Sequence, residues 1–272
     1  MIARPGLTPR PVQVVAHRGA SEDAAEHTLA AYTKAIEQGA DGLECDVRLT
    51  RDGHLVCVHD RRIDRTSDGR GVLSTLELGD LTELDWASWR ERRVGDHEVP
   101  DLDRSAILTL SRLLEFVADC SRPVQLAIET KHPTRYAGLV ERRLVTLLDR
   151  FGWAHPRLGS SSPIQVMSFS QVSLRRVHQM APNLRTVFLL DRVPLRFRDG
   201  SLPPGVRIAG PSIEIVRAHP RFVERLHRRG HDVHVWTVDE PADVELCLSL
   251  GADTIITNRP ATILAALGRG GS

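Results

Sequence analysis

Short apolar segments alternate with amphipathic segments of helical period along nearly the whole chain. The strand candidates are Val12–Ala16, Gly42–Val47, Val124–Glu129, Ile164–Ser168, Arg185–Leu190, Val206–Ala209, Asp232–Val238 and Thr254–Thr257. The helical candidates are Thr28–Gln38, Leu110–Cys120, Arg135–Phe151, Gln171–Met180, Pro220–Arg229 and Ala242–Leu250. Strands that alternate with helices form βαβ units, and eight such units close into a barrel. The sequence therefore predicts an α/β fold, a (β/α)8 TIM barrel, in a single domain over residues 1–272.

The stretch 61–107 interrupts this alternation. It is polar, carries Trp86 and Trp89, and shows no clear repeat. It is also too long for a simple loop between two elements of one domain. We predict an insertion that follows a hairpin at the second strand.

The hairpin itself is indicated by a turn between two short strands. The segment Glu44–Leu49 and the apolar segment that follows Asp52-Gly53 both have the pattern of strands. Asp-Gly is a strong signal for a type I′ turn, and the connection is too short for a parallel crossover. An antiparallel pair with this turn places His59 opposite Asp46, and Glu44 shares their face.

Chemically reactive side chains stand at the ends of the predicted strands. His17 and Arg18 follow the first strand, Glu44 and Asp46 lie on the second, and His59 ends the return strand. Enzymes with this barrel carry their chemistry at the C-terminal strand ends. Histidines can accept and donate protons near neutral pH, arginine binds phosphate, and carboxylates bind hard cations. The combination predicts a site that handles a phosphodiester.

A series of short motifs spans nearly the whole chain. They are His17-Arg18-Gly19, Glu26-His27-Thr28, Gly42–Val47, Asp52-Gly53, His59-Asp60, Ala127–Lys131, Ser168-Phe169, Val235–Val238 and Gly251–Pro260. In these motifs and their order, the chain resembles the glycerophosphodiester phosphodiesterase family of the phospholipase C-like phosphodiesterase superfamily. Three positions depart from the family pattern: Ala25 and His27 stand where the family usually has Pro and Asn, and Asn258 where it usually has Asp. None of these changes removes a metal ligand or a proton carrier.

The resemblance implies a metal site. Glu44, Asp46 and Glu129 would together hold one divalent cation, Mg²⁺ or Ca²⁺ or another divalent ion, because hard cations take carboxylate oxygens. The cation would bind a phosphate oxygen and offset the charge that develops in the transition state.

The remaining site residues act on protons and on the substrate. His17 and His59 are the expected catalytic proton carriers, and which of them accepts the proton stays open, as does the choice of water or a substrate hydroxyl as nucleophile. Arg18 and Lys131 are expected to bind the phosphate. Trp236 either packs against the glycerol or head group of the substrate or fills the core.

Residues outside these motifs are expected to have ordinary roles. The other histidines, His27 among them, are predicted to be surface residues. The cysteines stand singly in apolar runs and are predicted to be free thiols. They are Cys45, Cys57, Cys120 and Cys247.

Composition limits the partners. The formal net charge is +1, so no global field attracts nucleic acid or an anionic membrane. No apolar stretch approaches the roughly 20 residues of a membrane helix, so no integral membrane segment is predicted. The first residues lack the apolar core of a signal peptide, which favours the cytoplasm. The oligomeric state is not predicted.

We therefore expect a hydrolase of lipid and glycerol metabolism that cleaves small glycerophosphodiesters to glycerol 3-phosphate and an alcohol. The resemblance implies that segment 61–107 is an insertion near the barrel mouth that shapes substrate choice. The alternative is a structural flap without contact to the substrate. Two other functions stay open. A related barrel phospholipase acting on intact lipid would need an exposed apolar rim, for which Trp86 and Trp89 are the candidates. A non-catalytic phosphate-binding barrel would be expected to lack some acidic and histidine positions, and none is missing.

Overall fold

The computed structural model describes residues 11–91, 105–132, 134–156 and 161–270. The strands are β1 (Gln13–His17), β2 (Gly42–Leu49), β3 (Leu55–Cys57), β4 (Gln125–Thr130), β5 (Ile164–Ser168), β6 (Arg185–Leu190), β7 (Ile208–Pro211), β8 (Asp232–Val235) and β9 (Thr254–Thr257). The helices are α1 (Leu29–Glu37), α2 (Leu78–Thr82), α3 (Ser88–Glu91), α4 (Leu110–Ala118), α5 (Leu139–Arg150), α6 (Gln171–Met180), α7 (Ile213–Ala218), α8 (Pro220–Arg228), α9 (Pro241–Ser249) and α10 (Pro260–Ala266).

Parallel strands close into a barrel. β1 pairs in parallel with both β2 and β9, and the ring continues through β8, β7, β6, β5 and β4 back to β2. Only β3 stands outside this ring among the nine strands, where it pairs antiparallel with β2. The predicted α/β fold and (β/α)8 barrel are confirmed.

Each strand candidate corresponds to a barrel strand, whereas four of the described helices, α2, α3, α7 and α10, were not predicted. Helix α7 begins after Ser212, whose side chain accepts a hydrogen bond from the Ile215 amide as an N-cap. It is six residues long, and α10 is seven. Elements of two turns or fewer show too little of the helical period to be recognised in sequence.

Apolar side chains fill both sides of the barrel wall. Inside the ring, small and branched residues of neighbouring strands pack together; they are Val15, Ala127, Met167, Val187, Leu189, Ile208 and Ile256. Two larger clusters fill the space between the strands and the helices. The four cysteines are free thiols, as predicted. Because the interior is packed, polar chemistry is confined to the strand ends.

The predicted hairpin of β2 and β3 is present, but its register differs by one residue. Val47 lies opposite Cys57, and the amide of Val58 donates to the carbonyl of Asp46. The prediction that His59 lies opposite Asp46 is therefore wrong. β3 ends at Cys57, so the position of His59 is set outside the strand ladder.

The reason for the different register is the length of the loop. The amide of Thr50 donates to the carbonyl of His54, which leaves three residues in the loop instead of two. Gly53 has a φ of 90°, whereas the φ of Asp52 is not positive. A turn followed by a left-handed glycine is the usual three-residue hairpin loop, whereas type I′ requires positive φ at both central residues.

The segment after β3 builds a small apolar core of its own. It contains Val56, Val58, Ile63, Leu73, Leu81, Trp86 and Ile107. Trp86 is 5 % exposed and donates its indole N–H to the carbonyl of Leu81. The guanidinium of Arg90 donates to the carbonyls of Ser21 and Ala24, which ties α3 to the loop after β1. Residues 92–104 of the predicted insertion lie outside the described residues.

Candidate active site

Three carboxylates meet at the C-terminal end of two neighbouring strands. Glu44 and Asp46 are two residues apart on β2 and share one face, and Asp46 is level with Glu129 of the adjacent parallel strand β4. Oxygens of all three lie within 4.8 Å of one another, and all three side chains are buried. The parallel register thus brings together the three predicted metal ligands from positions far apart in sequence.

Two cations partly balance this negative charge. Lys131 Nζ lies 2.9 Å from Glu129 Oε1 and 3.3 Å from Asp46 Oδ1. Arg18 Nε lies 3.1 Å from Asp46 Oδ2, and its Nη1 donates to Glu26 Oε1. The two predicted phosphate-binding side chains therefore flank the carboxylates from opposite sides of Asp46.

The carboxylates differ in their preference for the charged form. Burial raises the pKa of Glu129 to about 8, with a further contribution from the charge of Asp46. Burial and Asp46 also raise the pKa of Glu44. At Asp46 burial acts in the same direction, but the hydrogen bond with His27 and the charge of Lys131 hold its pKa well below the usual range. The cationic side chains of the protein thus do not fully offset the burial of two of the three carboxylates, Glu44 and Glu129.

This donor set fits a divalent cation. Mg²⁺ and Ca²⁺ take oxygen ligands, and carboxylates are their preferred protein donors. Three buried carboxylates with oxygens within 4.8 Å would surround one such ion and gain from its charge.

His17 is held in one orientation by a chain of hydrogen bonds. Asn258 Nδ2 donates to Asp239 Oδ2, so that Asn258 Oδ1 faces His17 Nδ1 at 2.7 Å. The amide oxygen can only accept, so His17 Nδ1 carries the proton. His17 Nε2, 4.0 Å from Glu44 Oε2, is then the basic nitrogen of the neutral ring. Burial and the charge of Arg18 lower the pKa of His17 to about 4.

His59 reaches the site from the chain that follows β3. Its carbonyl accepts from Nε and Nη2 of Arg48 at 2.9 and 2.7 Å, which sets the backbone position. Its Nδ1 lies 2.7 Å from Asp60 Oδ1, so the ring is paired with a carboxylate. Burial lowers the pKa of His59, while the charge of Asp46 opposes this shift. The two catalytic histidines predicted from sequence thus have different partners, an amide and a carboxylate.

His27 is a site residue that the sequence analysis misassigned. It was predicted at the surface but is 5 % exposed. Its Nε2 lies 2.9 Å from Asp46 Oδ2 and its Nδ1 2.9 Å from Tyr32 Oη, and Tyr32 donates to the carbonyl of Glu44. His27 therefore contacts the Asp46 carboxylate directly and is linked through Tyr32 to the backbone of Glu44. The available signal was its place in a motif where the family usually has Asn.

Trp236 lies at the mouth but apart from the carboxylates. It follows β8, three strands from β2 around the ring. Its indole N–H donates to the carbonyl of Gly210, and its ring packs edge-to-face on Phe169 with centroids 5.5 Å apart. Phe169 is 40 % exposed, so this aromatic pair offers an apolar surface at the mouth.

Known proteins are similar to this chain in sequence and in fold. The profile of the glycerophosphoryl diester phosphodiesterase family matches residues 17–262. A probable glycerophosphodiester phosphodiesterase of Mycobacterium tuberculosis is 46% identical over 93% of this chain and 92% of its own length. The glycerophosphodiester phosphodiesterase of Bacillus subtilis is 33% identical over 93% of this chain and 86% of its own length.

Solved structures agree with the sequence relatives on the fold. A phosphodiesterase of Oleispira antarctica, in complex with the product sn-glycerol-3-phosphate, superposes with a TM-score of 0.79 at 23% identity and covers 94% of this chain and 96% of its own. With the family match over nearly the whole chain, these relationships show that the chain belongs to the glycerophosphoryl diester phosphodiesterase family.

Proposed function

We propose that this protein hydrolyses glycerophosphodiesters to glycerol 3-phosphate and an alcohol, with one divalent cation held by Glu44, Asp46 and Glu129. The observation that carries the proposal is the buried cluster of these carboxylates, flanked by Arg18 and Lys131. When bound, the cation supplies positive charge to a phosphate oxygen. We propose Mg²⁺ or Ca²⁺ because the donors are all carboxylates. The sn-glycerol-3-phosphate bound to the Oleispira antarctica structure supports this product class.

The partners of the two histidines support different roles in proton transfer. His17 Nε2 is unprotonated because Asn258 holds the proton on Nδ1, so His17 accepts the proton of the attacking hydroxyl. His59 is paired with the carboxylate of Asp60, which offsets part of the lowering of its pKa by burial, so of the two histidines we assign to His59 the donation of a proton to the departing alcohol oxygen. The phosphorus–oxygen bond to the alcohol breaks as the bond to the nucleophile forms. Arg18 and Lys131 bind the non-bridging phosphate oxygens.

The packing of the two tryptophans after β3 supports a small substrate over intact lipid. The lipid alternative required an apolar rim from Trp86 and Trp89, but Trp86 packs in the small core after β3. The indole N–H of Trp89 donates to the carbonyl of Trp86, and the guanidinium of Arg65 lies 5.9 Å from its ring. No helix of the described ranges is long and apolar enough to cross a membrane.

Three expectations from sequence remain part of this proposal. We propose that the chain is one domain, in which segment 61–107 shapes substrate choice at the mouth. The contacts of Arg65 with Glu26 and Asp60, both next to site residues, support that role. We propose that Trp236 contacts the glycerol or the head group. A cytoplasmic location and a role in glycerol metabolism stay predictions, which fractionation and metabolite measurements in a deletion strain would test.

The decisive experiment uses purified, metal-stripped protein. Mg²⁺, Ca²⁺, Mn²⁺ and Zn²⁺ are added one at a time with a panel of glycerophosphodiesters, and glycerol 3-phosphate is followed by a coupled dehydrogenase assay. We expect turnover only with a divalent cation. No release of glycerol 3-phosphate from any diester with any cation would contradict the proposal.

A further inference from the structure

A cavity lies beside the carboxylate cluster. Its volume is about 440 Å³, and Lys131 lines it as well as contacting Asp46 and Glu129. The other lining side chains include Arg48, Arg61, Arg135 and Tyr136. A group that extends from a phosphate at the carboxylates past Lys131 would enter this cavity.

The strand geometry places two of the lining residues next to the carboxylates. Arg48 lies two residues beyond Asp46 on β2, and Lys131 two residues beyond Glu129, directly after β4. Because the strands are parallel with Asp46 level with Glu129, Arg48 and Lys131 form the next layer on the same face. Two residues of strand span about 7 Å, roughly the distance from a phosphorus atom to the far end of a small alcohol.

The lining of the cavity is positively charged, and Lys131 is its one cation paired with carboxylates among the described lining residues. Four cationic side chains and no carboxylate appear among the described lining residues. Arg48 donates to the carbonyl of His59 alone, and neither Arg61 nor Arg135 forms an ion pair within the described part of the chain. Arg48 is half-buried, whereas Arg61 and Arg135 are exposed. A bound anion would give these guanidinium groups a charged partner for hydrogen bonds.

The aromatic side chain of the cavity is not available to a cationic ligand. Recognition of quaternary ammonium groups requires an open aromatic face or nearby carboxylates. The guanidinium of Arg135 lies 5.7 Å from the centre of the Tyr136 ring, and the Tyr136 hydroxyl donates to the carbonyl of Ser74. The cationic lining of the cavity therefore repels a positively charged ligand group and attracts a negatively charged one.

We propose that this cavity binds the alcohol portion of the substrate and selects alcohols that carry a negative charge. The inference rests on the proposed hydrolysis of glycerophosphodiesters and names its substrate class. Lys131 is assigned to the phosphate and the glycerol portion is neutral in every substrate, so the charges of Arg48, Arg61 and Arg135 serve the variable alcohol. Arg61 and Arg135 are specificity residues, because they line the cavity without contacting the carboxylates.

The test compares three diesters that differ in the charge of the alcohol. The alcohol portion of bis(glycerophospho)glycerol is anionic because it bears a second phosphodiester. The alcohol portion of glycerophosphoglycerol is neutral, and that of glycerophosphocholine is cationic. We expect kcat/KM at low salt to fall in that order, with about tenfold or more between the first and the last. Added salt should narrow the difference, because it screens exposed charges.

Variants then assign the preference to the cavity. Arg61→Gln and Arg135→Gln should each lower kcat/KM for bis(glycerophospho)glycerol about three- to fivefold, the effect of one partly exposed charge pair. They should leave glycerophosphocholine unchanged or improve it. Arg192→Gln serves as the control, since Arg192 is exposed after β6 and lines a different cavity. All variants are checked for wild-type melting temperature.

Each outcome bears on the inference separately from the proposed function. Equal losses on all three diesters would overturn it, because the arginines would then act on the common phosphate. A wild-type enzyme that does not favour the anionic alcohol would also overturn it. Should the wild type hydrolyse none of the three, the proposed function fails, and calorimetric titration with bis(glycerophospho)glycerol still decides whether Arg61 and Arg135 bind an anion.

Discussion

His17 Nδ1 and Asn258 Oδ1 lie 2.7 Å apart, and Asp239 holds the Asn258 amide in that orientation. A neutral amide stabilises the protonated imidazole less than a carboxylate would. In this chain His17 is therefore a weak base, with a pKa lowered to about 4 by burial and by Arg18. A carboxylate in place of Asn258 would raise the pKa of His17, so the amide at this position keeps His17 neutral over a wider pH range.

The first prediction exchanges the two acceptors. In the double variant Asn258→Asp and Asp239→Asn, residue 239 would donate to residue 258, so the hydrogen-bond chain is kept while His17 gains a charged partner. The pKa of His17 should rise, and its protonation should begin at higher pH. The acidic limb of the kcat/KM profile should move up by about one to two pH units. An acidic limb that does not move would show that His17 is not the base.

The second prediction concerns the cation. Chelation should abolish turnover, and Glu129→Gln should lower cation affinity and activity, because one of three carboxylate ligands is lost. Cation binding is measured by calorimetry and by the rise of melting temperature with added Ca²⁺ or Mg²⁺. Glu37→Gln, an exposed carboxylate on α1, is the control. Full activity in excess chelator would refute the metal assignment.

The third prediction separates the two histidines. His17→Ala and His59→Ala should each lower kcat by roughly 10²–10⁴, the range for a positioned acid or base. With a p-nitrophenyl ester of glycerol phosphate the leaving group needs no proton, so only His59→Ala should recover activity. His155→Ala is the control, because His155 is exposed. Recovery of His17→Ala instead would reverse the assignment of acid and base.

The fourth prediction tests His27 as a positioning residue. Residues that orient metal ligands typically change metal affinity by about 10- to 100-fold when removed. His27→Ala should weaken cation binding to that extent, with a smaller effect on kcat at saturating cation. His27→Asn should retain more affinity, because an amide can still donate to Asp46 and Asn tolerates the positive φ of 60° at this position. Unchanged cation affinity in His27→Ala would assign the residue to packing alone.

The fifth prediction concerns acid stability. His234 is buried in the lower barrel beside Gln125 and Gln165, and burial lowers its pKa to about 3. The unfolded chain binds a proton at His234 near pH 6.5, whereas the folded protein does not bind it until about pH 3. The free energy of unfolding is therefore highest above pH 6.5 and falls as the pH drops toward 3. The loss approaches about 1.4 kcal/mol per pH unit. Urea unfolding of His234→Gln should show a shallower pH dependence than the wild type between pH 6.5 and 4. Parallel curves would contradict this account.

The sequence by itself determined the barrel and the strand ends that carry the chemistry. The periods of apolar residues are local properties, so the strands were found with nearly their observed bounds. Glu44, Asp46 and Glu129 could be placed near one another before the structure, because parallel strands align their C-terminal ends. The same reasoning located His17, whereas His59 was located through the hairpin, and the roles of both histidines stayed open.

Tertiary structure alone decided what depends on distances between separate segments. The loop of the hairpin takes three residues, a choice that Asp52-Gly53 does not specify, and so the pairing of Asp46 with His59 was wrong. His27 is buried because a left-handed turn directs it toward Asp46, whereas the sequence shows only a histidine in a loop. The cationic cavity forms because Arg61 and Arg135, far apart in the chain, line it together. Periodicity encodes which face a residue lies on, but packing of distant segments determines which side chains meet.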